Sequence, residues 1–387
     1  GEEPVEVPED DEEPVELEEV EDGDAVELMG AEGLDEADEV ELVGEDDLIE
    51  EVAEDEGDEL EDDMEIVEEE AVEEGGTEAE ETGEEASDLG LPIDQLMDET
   101  LDFDEFKLDE KQKRILAERF DGYLGAMERY YNQYIFIKKG SYFVGAEETG
   151  EDVLTKQKVL LSDCFRGKYP VTNALFEVFI ERTGYTTTAE KLGYGYVYCG
   201  RFRKVIDPKT GYTSSAWNST YTREKVQGAS WYQPLGPGST LHKKRNHPVV
   251  QVSLRDARTF SAWTGKRLPT EIEWEAAART LSAQIFPWGN EWAEGLCNYE
   301  KSGISDTSPV DQFQGGVNGE GLADLLGNVM EWTLEKCEPK YKLETPARFY
   351  VAKGSSWISP EKTALYARNR YDADFTSNIL GFRCLAD

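Results

Sequence analysis

Along residues 134–387 apolar and polar positions change period often instead of following one long pattern. In TNALFEVFIERT (172–183), Leu175, Phe176, Phe179 and Ile180 fall on one face, and Thr172 or Asn173 can cap the start, so the spacing predicts an amphipathic helix. Residues 253–264 predict a second helix, opened by Ser253 and burying Ala257, Phe260 and Trp263. A third, over 270–280, opens at Thr270 with Glu273 three residues later, the reciprocal capping pattern. Ile135-Phe136-Ile137, then Gly140, then Tyr142-Phe143-Val144 predict a β-hairpin entering a sheet. Between 184 and 246 Gly, Tyr, Ser, Thr and Pro dominate, and the stretch reads as irregular; a long loop of that kind is often functional. After residue 285 the chain is again loop-rich, with short strands at the end. The expected fold is therefore α+β and loop-rich, one domain over 134–387.

Upstream the pattern changes twice. Phe103, Phe106, Ile115, Phe120, Leu124 and Met127 recur near helical spacing, which predicts a helical linker over 101–133, either docked on the domain or acting as a spacer. Residues 1–100 hold only small apolar islands within acidic runs, such as Val15-Glu16-Leu17, Val26-Glu27-Leu28 and Val40-Glu41-Leu42. Islands of that size do not offset the entropy of ordering a backbone, so a disordered acidic low-complexity segment is expected. Acidic–apolar alternation also suits short docking motifs for a partner.

Charge sharpens this division. Residues 1–100 carry 49 of the 86 acidic side chains and no Lys or Arg, leaving 37 acids against 38 bases in the rest. The formal charge of −48 thus belongs to the N-terminal segment. Such a segment repels phosphate, which argues against nucleic-acid binding, and suits a basic partner or a solvating spacer. No apolar run is long enough to span a bilayer, and no signal-peptide pattern is present. The chain starts at Gly1, so a removed leader or a longer parent stays open, and so does the compartment. Five cysteines (164, 199, 297, 337 and 384) show neither CxxC spacing nor an even number, which is neither a zinc ribbon nor a disulfide framework. There is no P-loop, dinucleotide fingerprint or nucleophile elbow.

Several segments in order carry a family resemblance: GKYPVTNALFEVFI (167–180), GASWYQPLGPGST (228–240), NHPVVQVSLRDA (246–257), GKRLPTEIEWEAAAR (265–279), FPWGN (286–290), LLGNVMEWT (325–333) and LGFRC (380–384). Together they resemble the formylglycine-generating, or sulfatase-modifying, enzymes over about 134–387. The resemblance implies an irregular fold like a decorated C-type lectin. Arg267, Glu271 and Glu273 then read as fold-holding polar groups, and Trp274, Trp288 and Trp332 as core.

The resemblance also implies calcium held by loop oxygens. One site would use Asn328 and Glu331 with main-chain carbonyls of Leu326, Gly327 and Val329; the other would use Asn298, the Tyr299 carbonyl and Asp306. A hard cation takes several oxygens, and a tight Gly-containing turn can present carbonyls inward. The family's oxidation chemistry implies two thiols near the C-terminus that bind monovalent copper, a soft ion that selects thiolates. The matching stretch, 353–384, has no cysteine before Cys384, and Ser359 and Ala364 lie nearest the two thiol positions. Copper is therefore not expected. The resemblance further pairs Cys384 with a position in the second helix that reads Ser261 here. A related branch uses a histidine-rich iron site, which His242 and His247 alone cannot build; His247 reads as a loop anchor.

Three functions follow. The first is a non-catalytic domain binding a protein, peptide or glycan, with Ser356, Trp357, Ser359, Tyr366 and Arg370 as the recognition surface. The second is an enzyme, either the family's oxidoreductase converting a substrate cysteine to formylglycine or one with altered chemistry in the same groove. The third is a structural subunit whose acidic segment docks on a partner.

Overall fold

Thr172, Ser253 and Thr270 each accept a backbone N–H and open a helix, as their sequences predict. The computed structural model describes residues 91–387 except 148–152, 201, 207–209, 211–212, 218–221 and 339–347. The chain divides into units Gly1–Gly76 and Thr77–Asp387, and the first lies outside the described residues, as does the disorder expected for most of 1–100.

The upstream linker is a layer of the domain. Helix α1 (Ile93–Met97), with Leu96 buried, falls in the last residues of the 1–100 segment expected to be disordered, while α2 (Glu110–Tyr123) and α3 (Ala126–Tyr131) replace the single helix the spacing predicts over 101–133. Asp109 and Gln112 form a reciprocal cap that starts α2 anew. Leu96, Leu116, Phe120 and Leu124 are buried. Gly265 shows how closely the layer sits: a Cβ there would lie 2.0 Å from the Lys113 carbonyl oxygen.

Helices α4 (Asn173–Thr183), α6 (Leu254–Trp263) and α7 (Glu271–Arg279) pack the core, with the short α5 (Thr188–Leu192) beside them. Phe176, Phe179, Phe260 and Trp263 interlock at centroid separations of 5.4–5.7 Å. Phe120 of α2 joins them at 5.9 Å from Phe260. Burying each ring contributes about 1.5–3 kcal/mol, so Phe179→Ala costs about 3–5 kcal/mol.

The predicted 135–144 hairpin is not one. Strand β1 (Tyr134–Ile137) pairs with β4 (Cys164–Gly167), and β2 (Gly140–Val144) pairs with β3 (Gln157–Leu161). Both pairs keep one antiparallel register, Tyr134 opposite Gly167 and Val144 opposite Gln157, so 134–144 forms one side of a long ribbon. Gly140 falls within that side, and the pairing runs on to Ala146, whose N–H donates to the Leu154 carbonyl. The irregular reading of 184–246 also changes: β5 (Tyr194–Cys199) pairs with β8 (Thr222–Gln227), and β6 (Phe202–Ile206) with β7 (Thr213–Trp217). A four-stranded sheet, in the order β11 (Arg368–Asp372), β10 (Phe349–Lys353), β9 (Met330–Cys337) and β12 (Leu380–Gly381), carries the C-terminal stretch. Strand β13 (Leu385–Ala386) returns to β4. The α+β, loop-rich expectation holds.

Buried charge is paired under this sheet. Lys353 has no exposed surface and lies 2.8 Å from Glu275 and 3.6 Å from Glu271. Arg279 meets Glu275 at 3.0 Å and Arg368 meets Glu271 at 2.8 Å. Removing one member would leave its partner charged and unmatched, which is the costly outcome for a buried pair. Arg267 holds Glu273 through two 2.8 Å bonds, and Trp274 and Trp332 are fully buried while Trp288 is partly so.

Candidate functional site

Three segments converge where β9 and β10 begin and end. They are the loop 298–308, the turn 324–331 and the stretch 353–359. Gly327 takes φ +81° and Asn328 φ +59°, a left-handed pair that reverses the chain tightly. A Cβ on Gly327 would lie 2.2 Å from the Asn298 carbonyl oxygen, and that oxygen accepts the Asn328 N–H at 2.8 Å. Ser355 Oγ accepts the Gly327 N–H at 2.7 Å. The Trp357 N–H donates to the Asn328 carbonyl at 3.0 Å, and the Glu300 N–H to the Ser359 carbonyl at 3.1 Å. Ser356, Trp357 and Ser359, expected to bind ligand, and the residues expected to bind calcium are therefore one interlocked cluster.

Within it, the recognition surface expected from the sequence is mostly interior. Ser356, Trp357 and Ser359 are buried, with Ser359 only 3% exposed. Ser359 Oγ accepts the Ser356 N–H at 3.0 Å, and the two hydroxyls stand 3.4 Å apart. Trp357 Nε1 donates to the Asn378 carbonyl at 3.2 Å. Tyr366 and Arg370 are half-buried and engaged elsewhere: the Arg279 guanidinium lies 5.3 Å from the Tyr366 ring centroid, and Arg370 sits on β11 opposite Val351. Ala364 is buried near Leu365, whose N–H bonds the Ile285 carbonyl. Short polar side chains read as exposed from sequence because serine is usually outside; here backbone donors and acceptors absorb them.

The oxygen donors are likewise engaged. Asn298 Oδ1 accepts from Ser302 Oγ at 2.7 Å, and its amide donates to the Asp306 carbonyl at 2.8 Å. The Tyr299 carbonyl accepts the Ser302 N–H. Asp306 pairs with Lys244 at 2.5 Å. Asn328 Oδ1 accepts the Ser308 N–H at 2.9 Å, while Nδ2 donates to the Ser308 carbonyl and to Asp324. Leu326 and Val329 are buried beside them. Glu331 is neutralised by Arg383, 2.8 Å away, and also accepts from Trp274 Nε1 at 2.6 Å.

Asp324 is the carboxylate the sequence reading missed. It is buried, its carboxylate accepts Asn328 Nδ2 at 2.8 Å, and burial pushes its pKa up to about 8. Its signal was a lone acid inside an apolar run, Leu322-Ala323-Asp324-Leu325-Leu326. Among the described residues no three His, Cys, Asp or Glu gather as a metal cluster. Asp324, the neighbouring amide oxygens and the turn's carbonyls still supply hard oxygen donors, which is the chemistry a calcium ion needs.

All five thiols are free. Burial pushes Cys164 up, Cys297 to about 12, and Cys337 and Cys384 to about 11, so these four are protonated near neutrality. Cys384 Sγ lies 3.3 Å from Ser261 Oγ. His247 is buried, bonds Thr307 Oγ1 at 3.0 Å, and has its pKa lowered to about 4 by burial and Lys244, as suits a loop anchor. No helix among the described residues is long and apolar enough to cross a membrane.

The pattern of the sulfatase-modifying factor enzyme 1-like domain matches residues 123–387. The formylglycine-generating enzyme of Mus musculus is 35% identical over 258 residues, covering 60% of this chain and 68% of that protein. The inactive C-alpha-formylglycine-generating enzyme 2 of Mus musculus is 36% identical over 233 residues, covering 56% of this chain and 72% of that protein. Among solved structures, PvdO from Pseudomonas aeruginosa aligns with a TM-score of 0.46 at 21% identity, covering 66% of this chain and 94% of PvdO.

Proposed function

The chain belongs to the sulfatase-modifying factor enzyme 1-like domain family, and from that premise we propose that it is a non-catalytic member whose lectin-like domain binds a protein, peptide or glycan. One observation carries the reading. Ser359, nearest the position where the family's chemistry needs a thiol, is a buried hydroxyl tied to the Ser356 backbone. A hydroxyl is a poor ligand for monovalent copper, and Ala364 offers no donor at all. Four of the five thiols are held protonated by burial, which suits inert structural cysteines. Similarity to the inactive mouse relative agrees with this reading, while similarity to the mouse formylglycine-generating enzyme favours the competing one, an active cysteine oxidoreductase.

The test is a competition titration with monovalent copper against a chromophoric chelator. The wild-type chain is expected to take no stoichiometric copper. Ser359→Cys/Ala364→Cys is expected to gain one equivalent. Tight stoichiometric copper in the wild type sinks the reading.

Calcium belongs to the same proposal as a structural ion. Asp324 would hold it with Asn298, Asn328 and carbonyls of the 326–329 turn, and the ion would keep the Asp324 carboxylate ionised in a buried setting. Glu331, already neutralised by Arg383, would contribute at most an oxygen of a paired carboxylate. The acidic segment would serve as a spacer or as a docking arm for a basic partner.

A further inference from the structure

Arg166 is a buried charge that the function above does not use. It lies on β4, the middle strand of the three-stranded sheet β1–β4–β13, opposite Ile135 on one side and Leu385 on the other. Its side chain has no exposed surface. The guanidinium reaches α7, where it stands 5.9 Å from the Trp274 ring centroid. Among the described residues, Arg166 Nε, Nη1 and Nη2 have no hydrogen-bond partner. Those three nitrogens carry five N–H groups. Burial and the neighbouring Arg383 push the Arg166 pKa down to about 10, which leaves it charged near neutrality.

The acids that act on Arg166, Glu331 and Glu273, are committed to other donors. Glu331 accepts Arg383 Nη2 at 2.8 Å and Trp274 Nε1 at 2.6 Å. Glu273 accepts two 2.8 Å bonds from Arg267 and the Thr270 N–H at the start of α7. Cys164, two residues along β4 and on the same face, is a thiol that burial keeps protonated. Two buried guanidiniums, Arg166 and Arg383, thus stand over the one buried carboxylate of Glu331. An unmatched buried charge is among the most costly features a core can hold, and the Trp274 ring supplies no acceptor for the N–H groups. A water accepts N–H bonds but leaves the charge unbalanced, whereas a small anion does both.

We propose that Arg166 anchors a buried site for a small monovalent inorganic anion, of the chloride class, between β4 and α7. Full burial favours a monatomic ion over a phosphate or an organic carboxylate, which need a wider void and a path to water. A monatomic ion has no orientation to satisfy and accepts several N–H groups at once. Its role is structural: it balances Arg166 and ties β4 to the helix that carries Trp274. This ion is separate from the calcium proposed above, which oxygen donors would hold, and it stands whether or not the domain is catalytic.

Melting temperatures of the full chain in sodium chloride and in sodium gluconate, at equal ionic strength and in a halide-free buffer, test it. Chloride is expected to raise the melting temperature of the wild type by about 2–4 °C at saturation, because a ligand held only by the folded state stabilises it. Arg166→Met removes the charge and keeps a long side chain, an exchange that a core tolerates where the charge was unmatched. Its melting temperature is expected to be the same in both salts. Equal melting temperatures for the wild type overturn the proposal, and so does a chloride shift that Arg166→Met retains. Crystals of the wild type grown in sodium bromide give a second measurement that needs no variant. An anomalous bromide peak within hydrogen-bond distance of the Arg166 guanidinium is expected. Water without bromide at that position overturns the proposal whatever the melts show, and so does bromide found only at the surface, an adventitious ion only.

Discussion

Ser261→Cys is expected to create a disulfide with Cys384 and to stabilise the domain. Both positions are buried, and the Ser261 hydroxyl already lies 3.3 Å from the Cys384 sulfur, so the side chains face each other across the core. The bond would join residues separated by 123 positions. Closing a loop of that length removes denatured-state entropy worth about 5 kcal/mol in the chain-entropy account. Two losses reduce the gain. The Ser261 hydroxyl donates to the Ala257 carbonyl at 2.7 Å, a bond worth about 1 kcal/mol. Native-state strain usually takes a further share, so about 2–4 kcal/mol is expected. For a domain of this size that corresponds to a rise in melting temperature of about 3–7 °C. The assay is calorimetry with and without reductant, alongside thiol counting after oxidation. The variant should show four free thiols and a reductant-sensitive rise, against five thiols and no reductant effect in the wild type. Six reactive thiols with an unshifted melting temperature would refute the placement of α6 against the C-terminal strand.

Glu331→Gln leaves the Arg383 guanidinium buried without its carboxylate and is expected to cost about 3–5 kcal/mol by urea denaturation, more than any exposed acid-to-amide change. His247 is held neutral in the fold with a pKa near 4, below its ordinary value of 6.5, while the unfolded chain protonates first. Stability from this group is therefore full above about pH 6.5 and falls as pH drops toward 4, and His247→Gln should flatten that window in a pH series of urea midpoints. Calcium is expected to raise the melting temperature of the wild type and not of Asp324→Asn; an equal shift in both would place the ion elsewhere.

Much of the helical framework was legible in the sequence because its signals are local. A cap hydroxyl and an apolar stripe are enough to locate α4, α6 and α7 within a residue or two, and at α6 and α7 an acid three residues later completes the cap. Strands were less legible. The Tyr-Gly-Tyr-Val-Tyr run of β5 puts aromatic side chains on one face and small or branched ones on the other, and its Gly and Tyr content mimics a loop. The pairing of β1 with β4 instead of β2 depends on contacts far along the chain, and Gly140 imitates a turn where none occurs. At the site, the identities of Ser356, Ser359, Asn298 and Asn328 were visible, but their burial was not. Short polar side chains go inward only where backbone groups are waiting, and those groups come from three separate segments. Asp324 escaped because its oxygen chemistry matters only once Asn328 folds back on it.

The central question is whether the domain performs the cysteine oxidation expected of an active family member. Incubating the full chain with monovalent copper, oxygen, reductant and a cysteine peptide bearing a sulfatase-type recognition sequence, and reading the peptide by mass spectrometry, decides it. The buried Ser359 hydroxyl and the alanine at 364 predict a peptide that keeps its cysteine at every time point. Steady, copper-dependent conversion of that cysteine to formylglycine would contradict the account.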